Sequence, residues 1–154
     1  MIDIKIVAIG KIKDKNILAI FSEYAKRLGP YAKFEQIELP MFKFSDTKNT
    51  ERAKKDDSKR VLDHLEKMSG YNSFLLSETG KELSSVEFAR KLDSSSPKIA
   101  FAIAGAFGWD DEIKKHISQI SLSKLTFPHE LARLVLIEQI YRGLMILNNK
   151  KYHY

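Results

Sequence analysis

Ile99-Ala100-Phe101-Ala102-Ile103-Ala104 runs without a polar side chain into Gly105-Ala106-Phe107-Gly108. A short, continuous apolar run ended by glycine predicts a strand covered on both faces, as in the centre of a parallel sheet. Ile2 to Ile9 alternates with period two before Gly10, so it reads as a strand with one buried face. Phe34 to Leu39, ended by Pro40, and Asn72 to Leu76, followed by Ser77-Glu78-Thr79-Gly80, predict two more strands. Ser121-Leu122-Ser123 is a candidate for a short last one.

Helical patterns fall between these strands. Ile17, Leu18, Ile20, Phe21, Tyr24, Ala25 and Leu28 recur at helical spacing, and Gly29-Pro30 stops them. Thr50 to Met68 predicts a charged helix whose first half is polar nearly all round, hence exposed or against a partner. The turn Phe42 to Lys48 carries mixed charge. Ser84 with Glu87 three residues on is a capping box, starting a helix to about Leu92, and Ser94-Ser95-Ser96-Pro97 reads as a turn. Trp109 to about Gln119 predicts a helix with Asp110, Asp111 and Glu112 at its positive end. Thr126 is the expected N-cap of a last helix, with Pro128 in its first turn, running to Leu147. Alternation of strand and helix predicts an α/β fold, a mostly parallel sheet with helices on both faces, in one domain spanning 1–154.

The chain has 154 residues, no cysteine and a net charge of +6, with a pI near 9.4. Without cysteine there is no disulfide, thiol nucleophile or thiolate metal site. The alternating N-terminus lacks the apolar stretch of a secretory signal, and no run is long enough to cross a membrane. A cytoplasmic protein is expected. The basic balance favours a polyanionic partner such as RNA, although a solvated basic surface explains it equally well.

Ligands of open α/β sheets bind beyond the C-terminal ends of the strands, which draws attention to Leu76–Gly80 and Ala104–Gly108. Neither matches a dinucleotide fingerprint or a phosphate-binding P-loop. The scattered histidines form no zinc motif, so no metal is expected, and no Gly-x-Ser-x-Gly elbow is present. His129 lies in the first turn of the last helix, whose dipole disfavours an imidazolium there. Glu138 and Arg142 are spaced i,i+4 for an ion pair. The helix bearing them is apolar almost all round, so these charges belong to a core or a subunit interface. The terminus Lys150-Lys151-Tyr152-His153-Tyr154 could fray, but lysines suit phosphates and tyrosines suit unpaired bases.

The C-terminal third carries a specific pattern: Phe101-Ala102-Ile103 with Gly105 and Gly108, Leu122-Ser123-Lys124-Leu125-Thr126-Phe127-Pro128-His129, Ala132-Arg133, Glu138-Gln139-Ile140-Tyr141-Arg142, and Tyr152-His153. With Ile6-Val7-Ala8-Ile9-Gly10-Lys11 and Glu23-Tyr24-Ala25-Lys26-Arg27-Leu28, it resembles the RlmH (YbeA-like) ribosomal RNA large-subunit methyltransferases of the SPOUT superfamily. The resemblance implies a deep C-terminal trefoil knot, a homodimer, and S-adenosyl-L-methionine as cofactor. It implies a cofactor site at Leu76, Ala104, Gly105, Gly108, Leu122, Ser123, Lys124, Leu125, Thr126 and Phe127. The implied substrate is N3 of a pseudouridine in the helix 69 loop of 23S rRNA, on the assembled ribosome. His129 and His153 are then candidate bases or hydrogen-bond donors, Arg142 a partner for negative charge, and Tyr152 a platform for the target base. The pattern departs from the family in two places. Ala104 stands where two glycines adjoin, and the tail lacks the usual glycine and proline before Tyr152. Two other readings stay open at this point, a non-catalytic RNA- or ribosome-binding module and a SPOUT methyltransferase acting on tRNA.

Overall fold

The computed structural model describes residues 1–42, 49–93 and 96–154. The expected loop beyond Phe42 and the Ser94-Ser95 half of the expected turn lie outside them. Five strands form one all-parallel sheet among the described residues: β1 (Ile2–Ile9), β2 (Ala32–Leu39), β3 (Asn72–Glu82), β4 (Lys98–Ile103) and β5 (Ser118–Ser121). Their spatial order is β2-β1-β4-β3-β5. The helices are α1 (Lys15–Leu28), α2 (Thr50–Glu66), α3 (Ser85–Leu92), α4 (Asp111–His116) and α5 (His129–Leu147).

Period-two alternation sorts the strand residues onto two cores. Ile4, Ile6 and Ala8 of β1 and Ile99, Phe101 and Ile103 of β4 face α1, α3 and α5. Val7, Ile9, Ala100 and Ala102 face α2 and α4, with Trp109 filling the second core. The apolar run of β4 thus serves both faces of a central strand. Local capping sets the helix starts: Asp14 accepts from the backbone of Asn16 and Ile17, and Ser84 and Glu87 complete the capping box.

Five expectations need correction. β3 does not stop at Leu76. It bulges over 77–80 and re-pairs, so that Leu76 and Lys81 both lie opposite Ile120 of β5. The helix expected from Trp109 to Gln119 lasts only from Asp111 to His116, because 118–121 pair with β3 instead. The last strand is Ser118–Ser121, earlier than Ser121–Ser123, and Ser121 Oγ instead turns the chain by donating to the Ser123 carbonyl at 2.8 Å. Thr126 does not cap α5; the cap position falls on Pro128, without a side-chain bond. Nor is the first half of α2 simply exposed: Ala53, Asp57 and Ser58 are buried beneath the loop that follows β4.

The bulge depends on Gly80. A Cβ there would lie 2.6 Å from the Ile120 carbonyl carbon and 2.8 Å from its nitrogen, both backbone atoms that cannot rotate away. At Gly143, where α5 crosses α3, an added Cβ would meet the Leu92 Cδ1 at 2.7 Å, a mobile side-chain end. Gly80→Ala is therefore expected to destabilise by about 1–3 kcal/mol, and Gly143→Ala by clearly less. Urea denaturation of the two variants tests the ranking.

Candidate active site

A cleft of about 690 Å³ opens beyond the C-terminal ends of β4 and β5, beside the bulge of β3. Its walls are Leu76 with the start of the bulge, the turn 103–108, the loop from Leu122 to Pro128, and His129 and Ala132 of α5. The size and mixed lining suit a small organic molecule. Phe107 and Leu125 leave 41% and 72% of their surface exposed at this site.

Each wall is pinned from behind. Trp109 is buried and its Nε1 donates to the Leu76 carbonyl at 2.8 Å, tying β3 at the start of its bulge to the loop after β4. Ser58 Oγ accepts the Asp110 amide at 3.0 Å. The Gly108 amide donates to the Gly105 carbonyl at 3.2 Å, closing a turn in which Gly108 takes φ 78°, a conformation that favours glycine. Gly105 has a different reason. A Cβ there would point inward, 3.2 Å from Asp57 Oδ2 and 3.4 Å from Ile9 Cγ2, so glycine serves close packing of the turn on the sheet. Ala104 has no positive φ, and it packs on the second core while lining the cleft.

Nine of the ten expected cofactor residues line this cleft, and His129 joins them. Lys124 does not: its side chain is exposed and its Nζ pairs with Glu82 at 3.4 Å. Ser77, Glu78, Ala106 and Phe107 lie in the strand-end turns singled out from sequence but were not in the expected cofactor set, and Ile103, Pro128 and Ala132 were not in it either. Contiguity with the residues already named was the available signal for most of them.

The first turn of α5 is fastened to the N-terminal part of the chain. Glu130 Oε1 accepts the amides of Lys13 and Asp14 at 2.6 and 3.0 Å. Arg133 is 0% exposed. Its Nη2 donates to the carbonyls of Ile9 and Gly10 at 3.0 and 2.8 Å, and its Nη1 pairs with Glu38 at 3.0 Å. His129, one turn earlier, is half-buried. Burial, and then the charge of Arg133, hold its pKa below the usual imidazole value, against an opposing pull from Glu130. Its Nδ1 is buried with no hydrogen-bond partner among the described residues.

Arg142, Tyr152 and His153 are elsewhere. His129 and Arg142 stand thirteen positions apart on one helix, about 20 Å at a rise of ~1.5 Å per residue. The expected candidates therefore divide into two groups within one chain. At the far end, Glu138 Oε1 accepts from Arg142 Nε at 3.0 Å and Nη2 at 2.6 Å, as the i,i+4 spacing predicts, and from the Tyr152 hydroxyl at 3.1 Å. Tyr152 packs edge-on against Tyr141 with centroids 4.9 Å apart, under the Arg142 guanidinium. Burial, the Tyr24 hydroxyl and the Glu138 carboxylate push the Tyr152 phenol far above its ordinary pKa, so it acts as a neutral hydroxyl. Arg142 Nη1 lies 3.2 Å from His153 Nδ1.

The tail is therefore docked at Tyr152 rather than frayed there. Asn149 takes the left-handed conformation, at φ 53°. Its amide donates to the Ile146 carbonyl and the Lys150 amide to that of Met145, which together make a Schellman ending that returns the chain along α5.

A family described as "Predicted SPOUT methyltransferase" matches residues 2–153. The chain belongs to the SPOUT methyltransferases. Relatives named ribosomal RNA large subunit methyltransferase H are similar over nearly the whole length. The protein from Mycoplasmopsis agalactiae is 40% identical, covering 99% of each chain. That from Enterococcus faecalis is 38% identical over 97% of this chain and 98% of its own. Among solved structures, ribosomal RNA small subunit methyltransferase E from Neisseria gonorrhoeae, bound to S-adenosyl methionine, superposes with a TM-score of 0.52 at 14% identity. It covers 95% of this chain, which spans 66% of that protein, and the likeness concerns the fold.

His129 should titrate by NMR with a midpoint below about 6.5. The sign for stability follows. The folded chain binds fewer protons than the unfolded one, so this contribution is present above pH ~6.5 and is lost as pH falls through the folded pKa. A midpoint at or above 6.5 would contradict the environment described.

Proposed function

We propose that this protein uses S-adenosyl-L-methionine to methylate N3 of a pseudouridine in the helix 69 loop of 23S rRNA, acting in the cytoplasm on the assembled ribosome. The observation that carries the reading is the cleft at the strand ends. The turn after β4 and the loop before α5, which the family resemblance assigns to the cofactor, converge there on Leu76. The names of the curated relatives support the choice of substrate.

The residues present fit such a cofactor. Leu76, Ile103, Leu122 and Phe127 offer apolar walls, and the Gly105–Gly108 turn and Ser123–Thr126 offer backbone groups. When bound, the cofactor supplies an electrophilic methyl on a sulfonium. The protein has to place the attacking nitrogen and remove its proton. His129, held neutral at the cleft wall, can accept a proton or donate from Nε2. Tyr152, His153 and Arg142 offer a flat aromatic face, an imidazole and a cation to an RNA base or phosphate.

These two groups lie at opposite ends of α5, so one chain does not bring them to one base. A homodimer removes the difficulty if the tail of one chain reaches the cleft of its partner. Leu131, Val135 and Ile146 on α5 remain at least partly exposed, apolar surface suited to such a contact. The knotted path of the family is part of the same proposal, with the loop before α5 and α5 itself as the threaded segment.

Labelled methyl transfer to 70S ribosomes, free 50S subunits and tRNA in parallel tests the substrate. Incorporation into 70S rRNA is expected. Transfer to tRNA alone, or ribosome binding without any cofactor binding, would replace this reading with one of the alternatives. Sedimentation at micromolar concentration should give a dimer, and a strictly monomeric species would refute the shared site.

A further inference from the structure

We infer that Tyr24 of α1 is a positioning residue for the C-terminal tail. The inference rests on the proposed role of that tail at the target base. The Tyr24 and Tyr152 hydroxyl oxygens are 3.1 Å apart, and 128 residues separate them in sequence. A phenol has one proton. Tyr152 gives its proton to Glu138 Oε1, so the bond between the phenols runs from Tyr24 to Tyr152. Arg142 donates twice to the same carboxylate oxygen and, through Nη1, to His153 Nδ1. The direction of every link is thereby set, from Tyr24 to Tyr152 to Glu138, and from Arg142 to Glu138 and His153.

Two consequences follow from that order. His153 accepts at Nδ1 and, when neutral, carries its proton on Nε2, so it presents a donor outward. Tyr152 is held at both lone-pair and proton sides of its oxygen, and this fixes the plane of the ring that would meet a base. Tyr24 is itself rigidly mounted. Its ring lies against Tyr141 with centroids 5.9 Å apart, and the Arg27 guanidinium sits 5.3 Å above it. Arg27 is in turn held by Glu23 at 3.1 Å. The segment Glu23-Tyr24-Ala25-Lys26-Arg27 thus serves as a bracket: a helix near the N-terminus orients the last residues of the chain.

Tyr24→Phe removes only the hydroxyl and keeps the ring on Tyr141. The experiment compares wild type, Tyr24→Phe, Tyr152→Phe and the double variant in methyl transfer to 70S ribosomes. Tyr24→Phe should lower kcat about three- to tenfold, the effect of one partly buried hydrogen bond. KM for S-adenosylmethionine should stay unchanged, because the bond orients the tail and involves no residue that lines the cleft, and the melting temperature should fall by at most a few degrees. In the Tyr152→Phe background the second change should add nothing, as expected of residues acting through one bond. Independently of activity, the Tyr152 ring protons, shifted by the edge-on Tyr141 ring, should move towards free-tyrosine values in Tyr24→Phe. A wild-type kcat, additive losses or unchanged ring shifts in Tyr24→Phe would overturn this inference alone. Full activity of Tyr152→Phe would overturn the tail's proposed role as well.

Discussion

A guanidinium with no exposed surface holds the cleft end of this molecule together. Burying Arg133 costs several kcal/mol in lost hydration. Three hydrogen bonds offset that cost, and their acceptors explain why the charge is there. β1 ends at Ile9, and the carbonyls of Ile9 and Gly10 point past the last rung of the sheet. An apolar side chain at 133 would leave them buried and unpaired, at about 1–3 kcal/mol each. Glu38, at the end of the neighbouring strand, completes the set. One side chain therefore closes the ends of β1 and β2 and fixes α5 over them.

The same turn of helix carries His129 and Glu130. Glu130 holds the backbone of Lys13 and Asp14, immediately before α1. His129 lines the cleft. The wall of the cleft is thus placed by contacts with the first fourteen residues of the chain, and the protonation of His129 is biased by the same guanidinium that anchors the helix. Structure and acid–base chemistry are joined within five consecutive positions, His129 to Arg133.

What was legible in the sequence is what local forces decide. Alternation in 2–9, the capping box at Ser84 and the apolar run 99–104 each carry their own instructions, and the structure follows them. The misread segments are those whose state is decided by distant pairing. Residues 118–121 have helical neighbours, but β3 offers them an open edge. Residues 77–80 look like a turn, and only the closeness of Gly80 to Ile120 shows them to be a bulge in a continuing strand. The site divides similarly. Gly108 and the loop Leu122–Phe127 could be read as a ligand site from composition and family likeness. The bond from Trp109 to Leu76, and that from Arg133 to Ile9 across 124 residues, leave no trace in sequence spacing. Gly105 carries a packing constraint that spacing does not show: its missing side chain makes room for Ile9 and Asp57 beneath the turn.

α5 joins two chemically different ends with a rigid 19-residue rod. At its N-terminus a neutral imidazole borders an apolar cleft; at its C-terminus a carboxylate collects a guanidinium, a phenol and, through them, a second imidazole. Rigid mounting at both ends removes the option that one chain folds its tail back onto its own cleft. The Schellman ending and the bond from Tyr24 to Tyr152 hold the tail where it is, and giving them up would cost the contacts that orient it. If both ends act on one nucleotide, the second end has to come from another copy. The partly uncovered apolar side chains between them, Leu131, Val135 and Ile146, lie where a helix from that copy would have to pack.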